Sequence, residues 1–172
     1  PGTYYLSSLS NIYHALYSAG GVNNLGTLRD IQLIRKGKVI AHLDIYDFIR
    51  EGKMIDTILE EGDIINVPTY DIVVDITGNI KRPMSYELVE GETIADLVDY
   101  AAGFTGDAYK KNLRMIRKNG SEYQIFTIDE QEYPDFKLVD GDAIAVGAML
   151  DRFENKIEIK GAVYRPGTYQ LG

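Results

Sequence analysis

Thirteen tyrosines, two histidines and no cysteine or tryptophan set the chemical repertoire of this 172-residue chain. Three of the tyrosines recur in one phrase. Pro1-Gly2-Thr3-Tyr4-Tyr5-Leu6 returns as Arg82-Pro83-Met84-Ser85-Tyr86-Glu87-Leu88 and again as Arg165-Pro166-Gly167-Thr168-Tyr169-Gln170-Leu171. A tyrosine offers a ring to stack on a sugar and a hydroxyl to hydrogen-bond it, so Tyr4, Tyr86 and Tyr169 suit a glycan surface. Strands also favour aromatics for packing alone, and a tyrosine that recurs at a strand start after Pro-x-x reads first as a core or sheet element. Arg35 and Arg117 recur at equivalent positions too. Each is placed to hold a carboxylate of its own repeat, Asp63 or Asp142, or to contact a neighbouring subunit, and the sequence leaves both open. These five residues form the candidate ligand-binding set.

Other chemistries find less support. His14 falls on the polar side of a helical pattern and His42 in a strand pattern, and zinc needs three or four convergent ligands, so no metal site is expected. Ser7, Ser8, Ser10 and Ser18 sit in no Gly-x-Ser-x-Gly elbow, and no catalytic residue is expected. The carboxylates of Asp56-Thr57-Ile58-Leu59-Glu60-Glu61-Gly62-Asp63 suggest acid and base pairs or calcium. Yet Asp63 and Asp142 both occupy Gly-Asp turns before an apolar strand, where a carboxylate accepting local N–H groups accounts for the placement. Ala19-Gly20-Gly21 follows a helix, whereas phosphate loops precede one, so no cofactor is expected. A net charge of -8 argues against nucleic acid or an anionic membrane surface as partner. The lack of cysteine leaves the redox compartment open, and no apolar run reaches the roughly 18–20 residues of a membrane span.

The elements that must position these residues follow from the repeat. An offset of 82 carries Pro1 onto Pro83, Tyr4 onto Tyr86, Ile12 onto Ile94, Gly21 onto Gly103 and Ile34-Arg35-Lys36 onto Ile116-Arg117-Lys118. Later the offset is 79, matching Gly62-Asp63 with Gly141-Asp142, so a three-residue deletion is expected in the connection between. A unit of this length is one compact module rather than a solenoid turn of about 20–50 residues. In each module an i, i+3, i+4, i+7 face predicts a short helix, through Ile12, Ala15, Leu16, Ala19 and through Ile94, Leu97, Val98, Ala101. Asn11 and Thr93 are its N-caps, with Asp96 closing a capping box, and Gly21 and Gly103 its stops. Period-two alternation predicts hairpins over 31–43 and 113–128, the second turning at Asn119-Gly120. A helical turn is expected at 45–49, and Pro134 forbids its counterpart a regular helix. Gly-Asp turns lead into closing strands at 64–67 and 143–146, and opening strands lie at 72–78 and 157–161.

The order strand, Pro-Gly turn, strand, helix, hairpin, irregular segment, strand is that of a β-grasp. Gly161-Ala162-Val163-Tyr164-Arg165-Pro166-Gly167-Thr168-Tyr169, the Ala19-Gly20-Gly21 helix end, Ile34-Arg35 and Glu61-Gly62-Asp63-Ile64-Ile65-Asn66-Val67-Pro68 together resemble the soluble-ligand-binding β-grasp (SLBB) domain. The form is that of bacterial polysaccharide biosynthesis and export proteins of the outer-membrane capsule translocon (Wza-like) type. Met84 and Ala102 depart from it, standing where the pattern has glycine. The fold expected is α+β: module one at 1–70 lacking its opening strand, module two at 71–150, then a linker and the opening strand of a third module at 151–172. Each module is a small twisted mixed sheet with one packed helix.

The resemblance implies a non-enzymatic periplasmic segment at the outer membrane, a homo-oligomeric ring around an exported polysaccharide, and an inner-membrane polysaccharide co-polymerase as partner. The alternative is a module that binds a glycan or another small molecule without transporting it; a glycan-processing enzyme is a weaker third. One further expectation concerns the ends. The chain reads as beginning after the opening strand of module one and ending with that of a third module, so exchange of this strand between copies is expected, docking within one copy being strained by the distance across module two.

Overall fold

The computed structural model describes residues 1–150 and 155–170. The first part of the expected linker, 151–154, and Leu171 and Gly172 of the third phrase lie outside the described residues.

Helix α1 (Ile12–Ser18) starts where Asn11 accepts the N–H of His14 and His14 Nδ1 accepts that of Asn11, both at 3.2 Å. Two N–H groups that a helix start leaves unpaired are thereby satisfied. Helix α3 (Ile94–Tyr100) repeats the box with Thr93 and Asp96. Both helices end on left-handed backbone, at Gly20 and Gly21 in one and at Ala102 and Gly103 in the other. The N–H groups of Gly21 and Gly103 reach back to the carbonyls of Leu16 and Val98, at 2.8 and 2.9 Å, the long bond of a Schellman end. Alanine at 102 therefore keeps the turn geometry.

The helix faces are buried unevenly. Ile94, Leu97 and Ala101 are buried, with Val98 at the margin, while on α1 Ile12 and Ala15 are buried, Leu16 is partly covered and Ala19 is exposed. The expectation that Ala19 faces a core fails because the cover is missing. Over Ala101 lies the turn that precedes β5 (Met84–Leu88), whose Arg82 donates its backbone N–H to the Ala101 carbonyl at 3.1 Å, and residues 1–6 form no strand or turn of that kind.

The first repeat folds as β1 (Ile31–Arg35), β2 (Lys38–Leu43), α2 (Ile45–Glu51) and β3 (Ile64–Asn66), and its sheet has the order β2-β1-β3, antiparallel throughout. The second comprises β4 (Ile72–Gly78), β5 (Met84–Leu88), α3, β6 (Asn112–Asn119), β7 (Glu122–Asp129), a 3-10 turn (Glu130–Glu132) and β8 (Ala143–Val146). Its sheet runs β5-β4-β8-β6-β7, with β4 and β8 parallel and the other neighbours antiparallel. The shared part, β2-β1-β3 against β7-β6-β8, has one strand order and direction. A third sheet is the hairpin of β9 (Lys156–Ile159) and β10 (Gly167–Gln170). The chain is α+β, with small sheets and three short helices among the described residues, and no helix there is long and apolar enough to cross a membrane.

Two details differ from the sequence reading. Asn119 pairs with Glu122, so the second hairpin turns at Gly120-Ser121 and not at Asn119-Gly120; Gly120, with φ +63°, takes the first corner, as a two-residue II′ turn requires. The net deletion is also two changes of opposite sign. Ile31 pairs with Leu43 whereas Leu113 pairs with Ile128, which makes the second hairpin longer, and the connection to β8 is then shorter by more than the net loss. Where the first repeat places α2 in that connection, Pro134 leaves only the 3-10 turn.

The second repeat closes a large core around Val74, Ile76, Leu97, Leu113, Met115 and Ile144, all at or below 1 % exposure. In the first, only Ile12, Ile31, Leu33 and Leu43 form the fully buried cluster. Tyr46 of α2 packs against the core of the second repeat rather than its own.

Candidate functional site

The joint between the repeats holds a network of buried and part-buried charge centred on Arg29. Arg29 precedes β1, and its side chain is 7 % exposed. Nε donates to Asp44 Oδ2 at 2.8 Å, Nη1 to Glu92 Oε2 at 3.1 Å and to the Glu87 carbonyl at 3.2 Å, and Nη2 to Glu92 Oε1 at 3.0 Å and to the Tyr100 hydroxyl at 3.3 Å. All five guanidinium N–H groups are thus used. The guanidinium also lies 4.5 Å from the Tyr46 ring centre and 5.2 Å from that of Tyr100, and the two rings meet edge to face at 5.1 Å.

Local structure explains each position. Asp44 is the N-cap of α2 and holds the Tyr46 N–H at 2.8 Å, which fixes its second oxygen towards Arg29. Glu92 sits in the tight turn before α3 and accepts the Val89 N–H at 2.9 Å. Tyr100 ends α3 and donates its hydroxyl to Glu92. Burial opposes the Arg29 charge, yet the bonds to Glu92 and Asp44 outweigh it and push its pKa up. Burial, with the Glu92 carboxylate, pushes Tyr100 up to about 12. The second strap is Glu87 of β5. Its carboxylate accepts Thr27 Oγ1 and, at 2.7 Å, the Leu28 N–H, and its own N–H donates to the Tyr46 hydroxyl at 2.9 Å. Arg50 of α2 pairs with Asp99 of α3 and stacks on Tyr100. A cleft of about 600 Å³ opens beside these groups, its lining including Asp30, Asp71, Glu90 and Asp140 together with Lys137. Chemically the joint is a saturated clamp: Arg29 has no donor left for a ligand, and the acidic cleft rim disfavours anions.

The five expected site residues lie elsewhere and are not brought together. Tyr86 is buried and donates to the Arg82 carbonyl at 2.8 Å, and Tyr169 makes the same bond to the Arg165 carbonyl at 2.7 Å. Tyr4 lies half exposed with its ring folded over Gly2. Arg35 clamps Asp63 through Nε and Nη2, both at 2.8 Å, and also reaches Glu60 and the Ile58 carbonyl. Arg117 holds Asp142 in the same fork, at 2.8 and 2.7 Å, and the Lys137 carbonyl. Of the two roles open for these arginines, the contact made within this chain is the one with the carboxylate of the Gly-Asp turn. Asp63 and Asp142 each accept a local N–H as well, from Glu60 and Val139. The histidines serve locally, His14 in the cap and His42 on Asp30. Among the described residues no group of three or more His, Asp or Glu is placed to hold a metal ion.

Sequence reasoning missed the joint. One signal was available: Arg29, Tyr46, Glu92 and Tyr100 fall where the repeat breaks, opposite Lys111, Gln131, Ser10 and Ser18.

Comparison with known proteins now decides the family. A family model described as the SLBB domain matches residues 1–55 and 73–126, more than half of the chain, in two stretches that each take in the repeated phrase and the helix and reach into the hairpin. The chain belongs to the SLBB domain family. Its two SLBB segments meet at the Arg29 clamp. The polysialic acid transport protein KpsD of Escherichia coli is 27 % identical over 124 residues, which is 72 % of this chain and 19 % of that protein. A second Escherichia coli sequence of the same name matches to the same extent. The chain spans about a fifth of the length of these curated relatives.

Proposed function

We propose that this chain is a structural spacer of a polysaccharide export protein: two β-grasp modules of SLBB type, and the opening hairpin of a third, held at a fixed angle in the periplasm along the path of the polymer. The observation that carries the reading is the similarity to a polysialic acid transport protein over 124 residues, 72 % of this chain. The physical character of the joint supports it. A clamp in which every guanidinium donor is engaged fixes one module against the next, which is what a wall or spacer needs. A chain of net charge -8 has no basic footprint to retain an acidic polymer, and a conduit must let its cargo pass. In this reading the protein is not an enzyme, acts at the periplasmic face of the outer membrane as a homo-oligomeric ring, and works with an inner-membrane co-polymerase.

Tyr4, Tyr86, Tyr169, Arg35 and Arg117 remain the ligand-binding set of the alternative, a glycan-binding module. Calorimetric titration against defined oligosaccharides, oligosialic acid included, separates the two. The spacer reading expects no binding in the sub-millimolar range, and such binding to one oligosaccharide would overturn it. Deleting the gene in its bacterium is expected to clear polysaccharide from the cell surface and retain it within the envelope. Surface polymer at the parental level would overturn the export role.

A further inference from the structure

Strand β7 is an edge by the strand order of the second repeat itself, as β2 is in the first, and the two edges are built differently. β2 begins at Lys38 and carries a bulge: Leu33 pairs with Ala41 and Ile34 with Val39, so Ile40 has no residue opposite it. An extra residue and a lysine both spoil a strand as a template for another chain. β7 pairs with β6 without a shift from Asn112 and Asp129 to Asn119 and Glu122, and it contains no lysine, arginine, glycine or proline. Tyr123 and Ile125 on it are 69 and 72 % exposed, and Ile116, across from Ile125, is 42 % exposed.

The hairpin loop decides which backbone groups face outwards. Asn119 and Glu122 flank a two-residue loop and so exchange both hydrogen bonds, and bonded pairs then alternate along the ladder, at Arg117 with Gln124, Met115 with Phe126 and Leu113 with Ile128. The N–H and C=O groups of Tyr123, Ile125 and Thr127 therefore point to the open edge, where no backbone bond from elsewhere among the described residues meets them. Their side chains share the sheet face of Arg114, Ile116 and Lys118, away from the buried Leu113, Met115 and Ile128.

This edge is self-complementary in one register. Two antiparallel copies of β7 must set outward residues opposite outward residues, so a two-fold axis can pass only at Tyr123, Ile125, Thr127 or Asp129. At Asp129 two carboxylates meet, at Thr127 the carboxylate of Asp129 faces Ile125, and at Tyr123 the loop residue Ser121 faces Ile125. At Ile125 the ladder runs over the whole of 122–128, with Ile125 opposite itself, Tyr123 opposite Thr127, Gln124 opposite Phe126 and Glu122 opposite Ile128, and no like charges face each other. Ile116 and Ile125 then continue into the same two residues of the second copy as one apolar row, with Arg114 and Lys118 in the rows on either side.

We propose that β7 of one copy pairs antiparallel with β7 of a second copy about a two-fold axis at Ile125, joining the two sheets into one. Backbone pairing at the open edge supplies the attraction, and the isoleucine row and the placement of the charges fix the register. The contact is isologous and closes at two copies, so it neither needs a ring nor depends on the export reading.

Ile125→Lys sets two ammonium groups opposite each other and Ile125→Glu two carboxylates, at a site that contributes nothing to the buried core of the single copy. By sedimentation equilibrium the mass of the parent chain should rise with concentration from the monomer value towards twice it. Each variant alone should stay monomeric and keep the melting temperature of the dilute parent, and an equimolar mixture of the two should return to the dimer. The chain lacks cysteine, so register can be read directly: Tyr123→Cys and Thr127→Cys, mixed and oxidised, should form the mixed disulfide in preference to either linked with itself, whereas Tyr123→Cys with Lys38→Cys, on the bulged edge, should not. A parent chain monomeric at every concentration, association unchanged by Ile125→Lys, a Lys and Glu mixture that stays monomeric, or equal linkage at Lys38 would each overturn the proposal.

Discussion

The two repeats share a helix, a hairpin and a closing strand, yet one completes its core and the other does not. The second surrounds α3 with five strands and buries Ala101 at its end; the first offers α1 three strands and leaves the equivalent Ala19 open. Local signals are equal in both: each helix has its capping box, each hairpin its glycine turn and each Gly-Asp turn its arginine. The difference therefore lies in long-range burial, which is the dominant favourable contribution to folding. The first repeat offsets the deficit by leaning on its neighbour, placing Tyr46 against the neighbour's core and Arg29 on its Glu92 carboxylate.

That dependence is the easiest part of the comparison to break. Arg29→Ala leaves Glu92 and Asp44 facing each other without their cation, and removing one partner of a buried pair typically costs about 3–5 kcal/mol. Thermal unfolding is expected to separate into two transitions, with the first repeat melting early. Arg29→Lys should fall between, because an ammonium keeps the charge but cannot reproduce the five-donor fork. A single transition at the parental temperature for Arg29→Ala would mean that the repeats are not coupled through this clamp.

The next effect tests the cores themselves. Leu97→Ala, at 0 % exposure, should lie in the upper part of the range of about 2–5 kcal/mol for a buried leucine, and Leu16→Ala, partly exposed, at or below its lower end. Val98→Ala, the register equivalent of Leu16, should resemble Leu16→Ala rather than Leu97→Ala. Urea titrations of the three variants check this, and equal losses at Leu16 and Leu97 would mean that the first repeat hides a core as complete as the second.

What the sequence made legible follows the same division. The helix starts at Asn11 and Thr93, the stops at Gly21 and Gly103 and both hairpins were readable because each is decided within a few residues and is written twice. The Gly120-Ser121 turn was misplaced by one residue because the register depends on how far β6 and β7 pair, which the Asn-Gly motif does not report. The joint was not legible, since Arg29, Asp44 and Glu92 are brought together only by the packing of one module on the next. The Asp63 and Asp142 turns read as local chemistry, with Arg35 and Arg117 open either to hold them or to contact a neighbouring subunit, and within this chain the arginines clamp them from 28 and 25 residues away.

The Asp63 clamp gives the first repeat an acid sensitivity of its own. The hydrogen bond from Arg35 holds the Asp63 carboxyl below the usual carboxylate range, with burial opposing and the Glu60 N–H assisting. A depressed folded-state pKa contributes stability that is complete above the unfolded value, near 3.9, and is lost as pH falls through the folded value. Asp63→Asn should therefore be less stable than the parent chain at neutral pH, with the gap closing as pH drops below about 4. Denaturation midpoints measured from pH 7 to pH 2 check the sign; a gap that widens in acid would contradict the clamp.

The smallest effect sharpens the comparison most cleanly, because it exchanges one residue between equivalent positions. Gly20 and Ala102 both hold the first left-handed residue after their helices, with φ +84° and +61°. An L-residue in that region places Cβ near the following carbonyl oxygen and costs roughly 1–2 kcal/mol, while glycine escapes the clash at the expense of a more flexible unfolded chain. Nothing lies within 4 Å of a Cβ built on Gly20, so packing does not enter. Gly20→Ala should then destabilise the first repeat by about 1 kcal/mol or less, and Ala102→Gly should stabilise the second by a similar amount. The two changes are opposite in sign and act on different transitions once Arg29→Ala has separated them. If Ala102→Gly were destabilising, the alanine methyl would have to contribute packing that outweighs its backbone strain, and the two helix ends would not be equivalent.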